Sequence, residues 1–153
     1  MTNITKTNSL DKVKEYLTAE CFNKLFIGGQ FVDPIDGQKM PTYYPATGEI
    51  LHELPKGNAN DIGSAIHAAE AAWLDGAWAN MPALVRGKLI MRMAQGIEEH
   101  IEVLAAIEAA DVGKPFRQAA LALGGAANEG KYWGSLGAVL DAEQDTPVNS
   151  GGG

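Results

Sequence analysis

The apolar residues of this 153-residue sequence change their period near Gly57, and that change restricts its fold more than any other feature. Before it, short extended runs are separated by turn formers: Leu25-Phe26-Ile27 and Gln30-Phe31-Val32 flank Gly28-Gly29, a glycine pair able to take positive φ in a tight hairpin. Asp33-Pro34-Ile35-Asp36-Gly37 makes a further turn, and Met40 to Tyr44 resumes an extended run that closes a small sheet. After the Ala46-Thr47-Gly48-Glu49 turn, Ile50, Leu51 and Leu54 offer one more strand, ended by Pro55 and Gly57. Beyond Gly57 the apolar positions recur every three or four residues, which is helical spacing.

Asn58, three before Asp61, opens a helix whose apolar face is Ile62, Ile66, Ala69 and Trp73. Pro82 opens a second, with the stripe Val85, Leu89, Met93 and Ile97. His100 to Ala110 continues as another with Ile101, Leu104 and Ile107 inward, broken by Gly113 and Pro115. Gln118 to Leu140 is Ala-rich and interrupted by Gly124, Gly125, Gly130, Gly134 and Gly137, so one unbroken helix is not expected. Asp141 to Val148 reads as a terminal strand, and 149–153 as a flexible glycine-rich end. At the other end, Leu10, Val13, Leu17 and Cys21 recur as one short helix behind Ser9. The expected chain is a small antiparallel β-sheet followed by three or four α-helices and a terminal strand.

Composition narrows the function by exclusion. A formal net charge of -7 without a Lys/Arg cluster speaks against nucleic acid and anionic membrane partners. Charged residues interrupt the first twenty positions, leaving no apolar stretch for a signal peptide or membrane span. The lone Cys21 can make no internal disulfide, so the cytoplasm is the expected compartment.

No constellation in the sequence can run a reaction. Gly125-Ala126-Ala127-Asn128-Glu129-Gly130-Lys131-Tyr132 imitates a phosphate-binding loop but ends in Tyr132 instead of Ser or Thr, and small residues for close helix packing explain it better. His52, His67 and His100 lack metal-ligand spacing. Cys21 beside Glu20 reads as a packed or idle thiol, Met93 as core, Trp73 and Trp78 as pins between two helices, and Glu98-Glu99-His100 as a solvated helix end. No catalytic and no cofactor-binding residue is assigned.

Taken in order, several segments resemble the opening third of NAD(P)-dependent aldehyde dehydrogenases. Leu25 to Val32 is similar to the family's first hairpin, and Tyr44-Pro45-Ala46-Thr47-Gly48-Glu49 resembles its Asn-Pro-Ala-Thr-Gly-Glu signature with Tyr44 for Asn. Asp61 to Ala69 and Arg86 to Ile97 look like its first two helices. Glu108, Asp111, Gly113, Lys114 and Pro115 fall at the spacing of its Glu-x-x-Asp-x-Gly-Lys-Pro element, the most specific match. Lys131-Tyr132-Trp133 resembles a following aromatic patch, and Glu143 to Val148 the strand entering the oligomerisation arm.

The resemblance implies an α/β fold and a division into residues 1–24 as an N-terminal extension with a short helix, 25–148 as the family's N-terminal segment and 149–153 as a flexible end. It also implies an enzyme that oxidises an aldehyde to an acid with NAD or NADP, whose cofactor glycines, glutamate base and nucleophilic cysteine lie downstream of the matching region. Cys21 fits neither the position nor the surroundings of that cysteine, so the chain alone is expected to be inactive and to bind no cofactor. Some relatives hold a structural monovalent cation on main-chain oxygens before the Asn-Pro pair and on the carboxylate of the Glu-x-x-Asp element, which by position are Thr42, Tyr43 and Asp111. The expected partners are the remainder of an aldehyde dehydrogenase chain or further copies in a homo-oligomer. The alternative is a non-catalytic interaction or oligomerisation module that docks on a full-length or complementary chain.

Overall fold

The computed structural model describes residues 10–74 and 76–143. Helices α1 (Leu10–Tyr16) and α2 (Glu20–Asn23) precede strands β1 (Leu25–Ile27), β2 (Gln30–Val32), β3 (Lys39–Tyr43) and β4 (Ile50–Pro55). Helices α3 (Ala59–Leu74), α4 (Ala83–Glu99), α5 (Ile101–Val112), α6 (Phe116–Ser135) and α7 (Gly137–Glu143) follow. The change of period near Gly57 is thus the boundary between strands and helices.

The expected single sheet is instead two separate antiparallel pairs, β1-β2 and β3-β4. In the first, Ile27 pairs with Gln30 across Gly28 and Gly29, whose φ values of 60° and 79° are those of a primed two-residue turn. Phe26 and Phe31 face each other across the pair with ring centroids 5.1 Å apart. In the second, the register slips between Thr42↔His52 and Tyr43↔Ile50, leaving Leu51 as the extra residue of a bulge. Each β-run is used up in its own hairpin, which local alternation cannot reveal.

The N-terminal helix also differs from expectation. It breaks after Tyr16, and Cys21 lies exposed on α2 instead of completing an apolar stripe with Val13 and Leu17. The Asn23 amide donates to the carbonyls of Leu17 and Ala19, tying the break together. Val13 and Leu17 are buried against Leu51 of β4 and Ala106 and Ala110 of α5, with Phe22, Tyr44 and Phe116 packed around them. Helices α1 and α2 are therefore built into the core.

Helix α3 begins with a reciprocal cap. The Asn58 side chain accepts the N–H groups of Asn60 and Asp61, while the Asp61 carboxylate accepts the Asn58 N–H at 2.8 Å. Asp61 also accepts the Ile35 N–H, which fastens the 33–37 turn to the helix.

The main helical contact is α4 on α6 and α7, and it is made by small residues. A Cβ on Gly87 would lie 2.2 Å from the Gly134 carbonyl oxygen, and one on Gly137 2.5 Å from that of Ala83. The backbones therefore approach through the absence of side chains, and α6 runs unbroken from Phe116 to Ser135 through all four of its glycines. This places the buried face of α4 at Ala83, Gly87 and Ala94, not at the expected Val85–Leu89–Met93 stripe. Met93 is 70% exposed and is not core. The helical pattern was right in period but wrong in phase, because glycine and alanine carry little weight in an apolar count.

Trp73 and Trp78 are likewise exposed and pin no helices together, and Ile62 and Ile66 on α3 are also open. The expected terminal strand is contradicted at 141–143, which belong to α7. Its remainder, and the glycine-rich end at 149–153, lie outside the described residues.

Candidate functional site at the end of helix α5

Two segments far apart in sequence meet at the last turn of α5. From α5, Asp111 projects toward β3, where the Thr42 hydroxyl donates to its Oδ1 in a short contact spanning 69 positions. Thr42 and Tyr43 stand where the β3-β4 ladder slips, so their peptide groups sit at an irregularity in the pairing. The bulge residue, Leu51, is buried in the core with Ala106 and Ala110, which holds the hairpin against α5.

The end of α5 is shaped by Gly113, which takes the left-handed conformation at φ 72° and donates its N–H to Ala109. A Cβ there would lie 3.5 Å from the Pro45 ring, so the helix cap rests against the residue two beyond Tyr43. The 44–49 turn is closed by main-chain bonds from Tyr44 to Glu49 and from Gly48 to Tyr44. Tyr44, standing where the family signature has Asn, packs against the core without opening that turn.

Past the cap, Lys114 turns back to Glu108, with the ammonium 2.7 Å from Oε1 and both side chains 32% exposed. This pairing was not foreseen, since six residues across a left-handed cap is not a helical spacing. It leaves Asp111 to Thr42. Of the three residues named from the sequence, the structure brings Thr42 and Asp111 into contact, with Tyr43 next to Thr42 at the end of β3, and sequence reasoning missed the ion pair beside them.

The side chains that meet at this corner are a carboxylate and a hydroxyl, both hard oxygens, a chemistry that suits a hard cation such as sodium or potassium and not a soft transition metal. Among the described residues no group of three His, Cys, Asp or Glu side chains is arranged to hold a metal. A shallow apolar cleft lined by Leu10, Val13, Tyr44, Ala110 and Phe116 adjoins the corner.

The remaining candidates do not form a site. Gly125 to Tyr132 lies within α6, so it is no phosphate loop, and Gly130 there packs on Ala94. His67 is exposed near Glu70, and His100 is exposed with Nδ1 2.9 Å from the Gly96 carbonyl. His52 lies opposite Thr42, and its buried Nε2 has no hydrogen-bond partner. Glu98 pairs with Lys131 at 2.6 Å and Glu99 accepts from Gln95, so this helix end is solvated but tied to α6.

A small bulged hairpin held to a helix end by the Glu-x-x-Asp-x-Gly-Lys-Pro element agrees with what similarity shows. Residues 31–152 match the model of the aldehyde dehydrogenase family, and the chain belongs to that family. It is 43% identical over 99 residues to the mitochondrial benzaldehyde dehydrogenase of Antirrhinum majus, covering 65% of this chain and 18% of that protein. Over 129 residues it is 33% identical to a peroxisomal aminoaldehyde dehydrogenase of Malus domestica, covering 82% and 26%. Among solved structures, an aldehyde dehydrogenase of Bacillus cereus superposes with a TM-score of 0.76 at 37% identity, over 82% of this chain and 25% of that one. The betaine aldehyde dehydrogenase of Staphylococcus aureus, solved with NAD+, gives 0.79 at 25% identity over 92% and 28%. The chain thus spans about a fifth to a quarter of the length of these relatives. The α/β family fold and the reading as a segment of an aldehyde dehydrogenase follow from these likenesses.

Proposed function

We propose that the chain forms the N-terminal supporting segment of an NAD(P)-dependent aldehyde-oxidising enzyme, contributing surface for the cofactor domain and a seat for a monovalent cation, and carrying no catalytic group. The observation that carries this reading is the bare apolar surface of the helices. Ile62, Ile66 and Trp73 on α3 and Leu121, Tyr132 and Trp133 on α6 all stand open to solvent, large apolar side chains of the kind that mark an interaction surface. Further polypeptide of the enzyme, or further copies in an oligomer, is the natural cover. In this reading the segment runs from Leu25 to Val148, with 1–24 as an extension and 149–153 as a link.

Thr42 and Tyr43 would offer main-chain oxygens and Asp111 its carboxylate to sodium or potassium, an ion that would fasten the β3-β4 hairpin to α5 and take no part in chemistry. NAD or NADP would serve the whole enzyme and not this segment. Cys21, exposed on α2, has no role in the oxidation. No described helix is long and apolar enough to cross a membrane, and the expected compartment is the cytoplasm. The family match favours a segment of an enzyme over a free-standing docking module.

Incubating the pure chain with an aldehyde and NAD, and following absorbance of the reduced cofactor, should give no signal above the blank. Turnover by the chain alone would overturn the reading.

A further inference from the structure

We propose that Glu108 is a positioning residue for the cation seat, holding the Lys114 ammonium away from the Asp111 carboxylate so that no tethered cation neutralises Asp111 in place of a metal ion. The inference rests on the seat proposed at Thr42, Tyr43 and Asp111. Its basis is a competition between cations at one corner of the fold. Asp111 and Glu108 lie three positions apart on α5, one turn of the same helix, so both carboxylates lie along one side of it. Lys114 follows the left-handed cap at Gly113 and folds back toward that side. A mobile ammonium at this point has two carboxylates to choose between, and in the structure it takes Glu108, while Asp111 takes the Thr42 hydroxyl.

The choice matters because a tethered ammonium is a strong competitor for a weakly held monovalent ion. Its effective concentration beside the carboxylate is set by a short chain, whereas sodium must come from bulk solution. Neutralising Glu108 removes the competing carboxylate charge and leaves Asp111 as the remaining carboxylate in the last turns of α5. Lys114 would then close the seat from within. Glu108 is not among the proposed ligands and acts through Lys114.

The test is sodium binding by the protein, followed by sodium NMR line broadening, with choline chloride keeping the ionic strength constant and circular dichroism checking the fold of each variant. Glu108→Gln should weaken sodium binding about tenfold, and the double variant Glu108→Gln/Lys114→Met should return it to within about twofold of the unaltered protein. Lys114→Met alone should bind at least as well as the unaltered protein. A purely structural role of Glu108 at the helix end would not be rescued by removing Lys114, so a double variant as weak as Glu108→Gln overturns the inference. So does a Glu108→Gln protein that binds sodium normally, while leaving the seat itself standing. If the unaltered protein does not broaden the sodium signal, or Asp111→Asn broadens it equally, the seat falls and this inference falls with it.

Discussion

Both oxygens of the Asp61 carboxylate accept main-chain N–H groups, from Ile35 and Asn58, at a position only 4% exposed. Asp61→Ala would leave two donors without partners and should cost about 2–4 kcal/mol in a chemical denaturation experiment, with Asp61→Asn losing less because it keeps one acceptor. The cap was legible from the Asn58 and Asp61 spacing. The second bond, to Ile35, was not, because it joins two turns that only the folded chain brings together. Asp36 makes a complementary case in full solvent. The Gln38 N–H donated to its carboxylate, and then the Asn58 side chain, hold its carboxyl below the usual carboxylate range. A folded-state value below the unfolded one stabilises the charged form, so the contribution is complete above the unfolded value and is lost as pH falls through the folded one. The thermal midpoint of the protein should therefore exceed that of Asp36→Ala at neutral pH, with the gap narrowing as pH falls below the ordinary carboxylate range.

At the scale of elements, the glycines of α4, α6 and α7 divide into two groups that look alike in sequence. Gly87, Gly134 and Gly137 sit where backbones meet, whereas a methyl added at Gly125 would meet nothing within 4 Å. Gly125→Ala should stabilise the protein by roughly 0.5–1 kcal/mol through helix propensity, and Gly87→Ala should destabilise it by about 1–3 kcal/mol because two helices must separate. Thermal denaturation of the pair reads the opposite signs. The same division explains where sequence reading stopped. Helix existence, the hairpin turn at Gly28-Gly29 and the Gly113 stop were set by local chemistry and could be read. The phase of α4 was not, since its contact is made of residues chosen for the side chain they lack. Nor was the separation into two hairpins, which depends on which strand finds which partner. Of the candidate seat, the three residues were named from resemblance alone, and the Glu108–Lys114 pair needed the geometry of the cap.

The molecule as a whole keeps a thin core, in which most of the buried hydrophobic residues are alanines and no large side chain among the described residues is fully enclosed. Much of its aromatic and aliphatic surface is outside, including Trp73 at 70% and Leu121 at 68% exposure. The protein by itself should bind an apolar fluorescent dye and self-associate as concentration rises. Trp73→Arg/Leu121→Glu should raise the monomer fraction in light scattering while changing stability by no more than about 0.5 kcal/mol, since neither side chain is packed. Equal association of the two proteins would show that these faces are not the adhesive ones.

The Thr42–Asp111 contact has a bearing on the order of events as the chain folds. It joins positions separated by 69 residues, so the polypeptide must bring a hairpin and a distant helix end together before the bond can offset the chain entropy lost. Hairpins and helix turns form early and locally, whereas this clasp belongs to the far side of the rate-limiting barrier. Thr42→Val should accordingly leave the refolding rate as it is and speed unfolding, moving one limb of the chevron only. The corner that joins sheet to helix would then act as a latch on the finished structure, setting how long the segment stays folded and not how fast it gets there.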